Sequence, residues 1–111
     1  MSPPDLNELM AKAKEVQDRL AEVQRDLARR RVEGTAGGGM VTAVASGELR
    51  ILEVKIEPAL LEGGDQAMLQ DLVAAAVNAA LANAQQMIQQ EMQRASAGLS
   101  IRLPFAPGDS G

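Results

Sequence analysis

The chain has 111 residues, a formal net charge of −4 at pH 7 and an apolar fraction of 46%, with an aromatic fraction of only 1%. It contains no Cys and no His, which excludes disulfides, thiolate nucleophiles and the usual zinc and iron ligand sets. We therefore expect one small domain in a reducing cytoplasm, without metal, cofactor or small-molecule substrate, whose thin core favours self-association.

The first predicted element is a long amphipathic helix over residues 5–31. Asp5 follows two prolines and can cap the start of the helix. Asp26 and Arg30 form one of several oppositely charged pairs with the four-residue spacing that supports an exposed helical face. Apolar side chains recur at heptad spacing and form a seam: Leu6, Leu9, Ala13, Val16, Leu20, Val23 and Leu27. The seam fits packing on the chain's own second helix as well as a coiled coil with another chain.

After Arg31 the apolar period changes to two, which predicts a three-stranded antiparallel β-meander ending at Ile56. On the last strand Leu52, Val54 and Ile56 share one face, and we expect helices to cover that face. Residues 37–39 are all Gly, but no Gly-Lys-Ser/Thr sequence follows, so we interpret them as a flexible turn rather than a phosphate-binding loop.

A second long helix is predicted from about residue 67 to residue 95. Pro58 ends the last strand, a short turn follows, and Asp65 can cap the new helix. Its alanine-rich part would let a partner helix approach closely. Its apolar run is broken by Asn78 and is shorter than the roughly 20 residues of a membrane span, so no membrane partner is expected. The predicted fold is α+β, with one domain over residues 1–95 and a flexible tail over residues 96–111.

Two segments carry a family resemblance. The sequence VKIEPALL at residues 54–61 and the sequence DLVAAAVNAA at residues 71–80 resemble the YbaB/EbfC family of bacterial nucleoid-associated DNA-binding proteins. The resemblance implies a homodimer formed through the sheet region, with the helices projecting as paired arms and higher oligomers left open. It also implies duplex DNA as the partner, a cytoplasmic nucleoid location, and a role in chromosome compaction and gene regulation.

The charge distribution suggests which surface would meet DNA. Residues 5–31 hold seven basic and six acidic groups, whereas residues 32–66 hold two basic and six acidic groups. The basic groups at the end of the first helix are the principal candidates for DNA binding: Arg25, Arg29, Arg30 and Arg31. The weaker candidates are Lys12, Lys14, Arg19, Arg94 and Arg102. A purely structural alternative is that cations stabilise a helix C-terminus through the macrodipole.

With almost no aromatic side chains for base stacking, we expect contact with the phosphate backbone and little sequence specificity. The alternative function is a coiled-coil adaptor or a prefoldin-like chaperone that acts through its helical arms. Catalysis is not expected, because no nucleophile, base and metal set can be assembled from these residues.

Overall fold

The computed structural model describes residues 5–98, an elongated body of 75 × 32 × 17 Å. Two long helices flank a three-stranded sheet, which confirms the predicted α+β class. The elements in chain order are α1 (Leu6–Arg29), β1 (Arg31–Ala36), β2 (Val41–Ser46), β3 (Ile51–Ile56), α2 (Pro58–Glu62) and α3 (Gln66–Gly98).

Both long helices begin at the predicted caps. The Asp5 carboxylate accepts a hydrogen bond from the backbone N–H of Asn7 at 3.3 Å, and the Asp65 carboxylate accepts one from the N–H of Met68 at 3.0 Å. The predicted turn between β3 and α3 contains a short helix, α2, because Pro58 stands at its first position with φ already suited to a helix.

The sheet has the predicted meander topology, with antiparallel strands in the order β1-β2-β3. A single 3₁₀ turn over Gly37–Gly39 joins β1 to β2. All three glycines have positive φ, at 64°, 66° and 96°, so a side chain would be strained at each position. The triplet is therefore a tight turn.

The core lies between α3 and one face of β1 and β2. Ala76, Ala80 and Ala84 of α3 are fully buried there, against Val41, Ala43 and Ala45 of β2, which are fully buried as well. A Cβ atom on Gly34 of β1 would lie 2.1 Å from the backbone nitrogen of Ala80. The sequence predicts a partner helix against the alanine stripe, but within residues 5–98 the stripe packs on the sheet instead. Small side chains on both elements permit this close approach.

The prediction that helices cover one face of β3 holds only at its end. Val54 and Ile56 lie opposite Ala43 and Val41 in the register, and so on the core face. Ile56 is half-buried, but Val54 is 37% exposed and Leu52 is 47% exposed. Because α3 packs chiefly over β1 and β2, it leaves the β3 edge of the sheet uncovered.

The seam of α1 is divided between packed and exposed residues. Leu27 is buried at the base of the helix, and Val23 and Val16 are half-buried. Farther from the sheet, Leu9 is 50% exposed and Leu6 is 69% exposed. Of the two interpretations of the seam, packing within the chain therefore accounts for its C-terminal part only.

Residues 66–97 of α3 are long and apolar enough to cross a membrane by length and composition alone. The Ala76, Ala80 and Ala84 stripe packs on the sheet, and Asn78 and Gln85 are exposed on the rest of the helix. We therefore interpret α3 as the packing helix of this domain. It continues to Gly98, three residues beyond its predicted end, and the remainder of the predicted tail lies outside the described residues.

Candidate nucleic-acid interface

The principal candidate arginines lie where α1 ends and β1 begins. Arg25 and Arg29 are in α1, Arg30 is its C-terminal cap, Arg31 is the first residue of β1, and all four are exposed. Arg30 has extended backbone angles of φ −79° and ψ 147°, so the helical periodicity stops there. Arg25 and Arg29, four residues apart, share one face of the helix, whereas Arg30 is directed to α3.

A carboxylate on α3 connects Arg30 with a second arginine. Nη1 of Arg30 donates to Oε1 of Glu91 at 2.6 Å, and Nη1 of Arg94 donates to the same oxygen at 2.9 Å. The Glu91 side chain is 23% exposed, whereas those of Arg30 and Arg94 are 49% and 75% exposed. The two arginines therefore lie at the surface, with the carboxylate on their inner side, and the Arg30–Glu91 ion pair lies between the base of α1 and α3.

The other three principal arginines, Arg25, Arg29 and Arg31, make no ion pair with any residue between 5 and 98. We call these three the α1-end cluster. The predicted pairing of Asp26 with Arg30 does not form: Arg30 has left the helix, so the four-residue helical spacing no longer brings the two side chains together. The α1-end cluster is an exposed group of cations whose donors are available to a phosphate oxygen.

The weaker candidates are spread along the arm formed by α1 and α3. Lys12 and Lys14 are exposed on the outer half of α1. Arg19 lines an open groove of about 400 Å³ between the two helices, which Arg94 also lines. The groove carries acidic side chains as well as basic ones, and its lining is Arg19, Glu22, Val23, Asp26, Glu91, Arg94 and Ala95. The last candidate, Arg102, lies outside the described residues.

The residue that sequence reasoning missed in this region is Glu91. It lies 61 residues from Arg30, so no local pattern could connect the two.

A second exposed surface runs along the free edge of the sheet. Four apolar side chains of β3 and of the turn before it are between 36% and 47% exposed, and we call them the β3 edge strip: Leu49, Ile51, Leu52 and Val54. A β-bulge at Leu52 interrupts the pairing with β2, because Glu53 pairs with Val44 and Ile51 pairs with Ala45. An exposed apolar edge strand of this kind is a surface for pairing with another chain.

No group of three or more acidic, His or Cys side chains suited to a metal ion occurs within residues 5–98. The charged groups along α1 and α3 are arginines, lysines and the carboxylates beside them.

Comparison with known proteins defines the class of the chain. The model of the YbaB/EbfC DNA-binding family matches residues 1–99. A nucleoid-associated protein of Syntrophobacter fumaroxidans is 44% identical over 99 residues, which cover 89% of this chain and 90% of the relative. Another, of Desulfotalea psychrophila, is 42% identical over 97 residues, which cover 87% of this chain and 92% of the relative. The chain therefore belongs to the YbaB/EbfC DNA-binding family, as the two sequence segments predicted.

A solved structure supports the fold independently. The structure of an uncharacterized protein, HP0035, from Helicobacter pylori superposes with a TM-score of 0.65 and covers 89% of this chain and 100% of that chain. The two sequences are only 16% identical, so this likeness concerns the fold alone.

Proposed function

We propose that this protein is a nucleoid-associated protein that binds duplex DNA through the phosphate backbone, with little sequence specificity. The observation that carries the proposal is the α1-end cluster, three exposed arginines without an ion-pair partner among residues 5–98. Membership of a DNA-binding family and the nucleoid-associated names of its relatives support the same function. The corresponding location is the bacterial nucleoid in the cytoplasm, with a role in chromosome compaction and gene regulation.

The acidic net charge does not oppose this function, because the charges are segregated. Residues 32–66 carry six acidic and two basic groups, and this part of the chain forms most of the sheet and the turn after it. Screening limits the electrostatic effect of each charge to about 8 Å at physiological salt, so the acidic groups of β3 need not cancel the positive potential at the end of α1. Arginine presents a planar fork of N–H donors that matches two phosphate oxygens, which holds the backbone without reading the bases.

We also propose that the protein acts as a homodimer through the β3 edge strip. Ile51 and Val54 of the strip pair with Ala45 and Ala43, so they extend the buried core face of the sheet to an edge that has no neighbouring strand among residues 5–98. A two-fold pairing of two such edges is self-complementary and would bury the apolar side chains of both copies. Each dimer would then present the α1-end cluster twice, and two moderate contacts on one duplex raise the overall affinity.

The DNA proposal is tested by fluorescence anisotropy of a labelled duplex, titrated at several salt concentrations. We expect the double substitution Arg25→Gln with Arg29→Gln to weaken binding by at least about tenfold on every sequence, because each charged hydrogen bond contributes about 1.5 kcal/mol or more. The slope of log affinity against log salt should fall by about 0.9 for each phosphate that the variant no longer neutralises. The matched control is Arg50→Gln with Lys55→Gln, which removes two exposed positive charges from the β3 region. Because both residues adjoin the β3 edge strip, light scattering must show that each double variant has the same mass as the unaltered protein before the affinities are compared.

Equal weakening in both double variants would remove the α1-end cluster from the interface and leave only a dependence on net charge. No binding of the unaltered protein at low salt would contradict the DNA function. The adaptor or chaperone function would then be favoured, because the first turns of α1 expose three large apolar side chains, Leu6, Leu9 and Met10, at 69%, 50% and 63%. Suppression of aggregation of an unfolded client by the same preparation would support it.

A further inference from the structure

We propose that Glu91 is an internal counter-charge that weakens the binding of phosphate by Arg30 and Arg94. The inference rests on the proposed DNA function, and assigns to this chain a residue that limits the strength of its interface. Both guanidinium groups donate to the single oxygen Oε1, at 2.6 and 2.9 Å. Their Nη1 atoms therefore lie no farther apart than the sum of these two distances, although they come from the end of α1 and from the outer part of α3.

The bridge makes two arginines into a compact site. Each guanidinium has five N–H donors, and the contact with Glu91 engages one nitrogen of each. The Arg94 side chain is 75% exposed and that of Arg30 is 49% exposed, so donors of both are accessible from outside. A phosphate approaching from solvent would meet two closely spaced guanidinium groups, with the carboxylate behind them.

The carboxylate opposes that phosphate in two ways. It neutralises one of the two positive charges, and it engages donors that a phosphate oxygen would otherwise accept. Its distance from a phosphate bound to either arginine is within the screening length of about 8 Å, so the repulsion is not screened out. Glu22 and Asp26 line the groove between α1 and α3 that Glu91 and Arg94 also line, and they add to the negative potential there. Neither forms an ion pair with Arg30 or Arg94 among residues 5–98.

A merely structural role for Glu91 gives the opposite expectation. If the carboxylate acted only to hold the two guanidinium groups in a binding geometry, its removal would loosen them and reduce DNA affinity. The exposure of both arginines argues for attenuation, since exposed ion pairs contribute little to ordering side chains. The sign of the change on removal of the charge therefore distinguishes the two roles.

The test is the substitution Glu91→Gln, which keeps the size and the helix preference of the side chain and removes its charge. The matched control is Glu62→Gln in α2, which removes the same charge from an exposed position. At about 1.5 Å per residue, the length of α3 between Gln66 and Glu91 places the control more than 30 Å away. Both variants and the unaltered protein are titrated into a labelled duplex at several salt concentrations, and thermal unfolding checks that each is folded.

We expect Glu91→Gln to bind DNA about two- to fivefold more tightly than the unaltered protein, the factor that corresponds to an exposed ion pair. Its salt dependence should be steeper by up to about 0.9, and Glu62→Gln should show neither change. The gain should disappear when Glu91→Gln is combined with Arg30→Gln and Arg94→Gln, because the effect acts through those two groups.

Weaker binding by Glu91→Gln, or equal binding by Glu91→Gln and Glu62→Gln, would overturn the inference while leaving the DNA function intact. An absence of binding by both the unaltered protein and Glu91→Gln would overturn the proposed function, and this inference with it.

Discussion

The neighbouring strands β2 and β3 are each six residues long and similarly apolar, yet they have opposite surroundings. On β2, Val41, Ala43 and Ala45 are fully buried, whereas on β3 Leu52 is 47% and Val54 is 37% exposed. The difference does not come from the strands themselves. It comes from where α3 lies, and therefore from the residues that let α3 approach.

Those residues are small and lie on both sides of the contact. The missing side chain of Gly34 and the short side chains of Ala76 and Ala80 let α3 lie directly on β1 and β2. A second glycine, Gly47, admits the end of α1 in a similar way, since its N–H donates to the Leu27 carbonyl at 3.1 Å. With both helices fixed toward β1 and β2, β3 is covered only at its Ile56 end, and the exposed remainder is the surface that we propose for a second chain.

Gly34→Val is expected to have the largest effect, because it would prevent the close packing of α3 on β1 and β2. A Cβ at this position would lie 2.1 Å from a backbone nitrogen of Ala80, and no change of rotamer can relieve a contact with backbone. We expect the free energy of unfolding to fall by about 3 kcal/mol or more, measured by urea denaturation at fixed protein concentration. The control is Gly38→Ala, where φ is 66° and nothing lies within 4 Å of the added Cβ, so the cost should be only about 1 to 2 kcal/mol of backbone strain. A similar destabilisation in both variants would show that close packing against α3 is not what Gly34 provides.

A smaller but more specific effect is expected from Val54→Glu. It places a charge in the middle of the β3 edge strip, and burying an unpaired charge at an interface costs about 2 to 5 kcal/mol. We expect the dimer measured by light scattering to dissociate at concentrations where the unaltered protein is dimeric, with the fold of each protomer retained by circular dichroism. Leu61→Glu, a substitution of a 57% exposed residue outside the strip, is the control and should leave the mass unchanged. A dimeric Val54→Glu protein would place the interface elsewhere.

The two long helices and the three strands were predictable from the sequence because they depend on local rules. Asp5 and Asp65 cap the helices by accepting hydrogen bonds from nearby backbone N–H groups. The period of two over the strands arises because successive side chains of a pleated strand point to opposite faces of the sheet. The burial of β3 was not predictable in this way. An alternating strand shows which side chains share a face, but whether a helix covers that face depends on distant contacts such as that of Gly34 with Ala80.

The candidate interface likewise has a part that the sequence predicted and a part that it did not. The concentration of arginines at the end of α1 is visible in the sequence, and the structure leaves Arg25, Arg29 and Arg31 exposed. The predicted partner of Arg30 was wrong, because a helical spacing was applied to a residue whose backbone is extended. The true partner, Glu91, depends on how α3 continues past the sheet alongside α1, and only the assembled fold determines that.

The smallest expected effect concerns the turn that begins β3. Leu49 has φ 62°, a left-handed conformation that L side chains rarely adopt, and its side chain is 43% exposed. The Ser46 N–H donates to the Arg50 carbonyl at 2.9 Å and closes a three-residue loop over residues 47–49. Leu49 is the third residue of that loop, which is held in the left-handed conformation in such turns. Glycine would satisfy the backbone better, which makes an exposed leucine there costly to a protomer alone. Burial of the leucine side chain in the proposed dimer would offset that cost.

Two substitutions separate these contributions. Leu49→Ala removes most of the side chain and keeps the strain, whereas Leu49→Gly removes both. We expect Leu49→Gly to unfold with about 1 kcal/mol more free energy than Leu49→Ala in urea titrations at equal concentration, since the relief of the left-handed strain exceeds the entropy that glycine adds to the unfolded chain. Both variants should dimerise more weakly than the unaltered protein and to a similar degree, because both lack the leucine side chain that the β3 edge strip would bury. Unchanged dimerisation of both variants would mean that Leu49 lies outside the interface and that dimer formation does not offset its backbone strain.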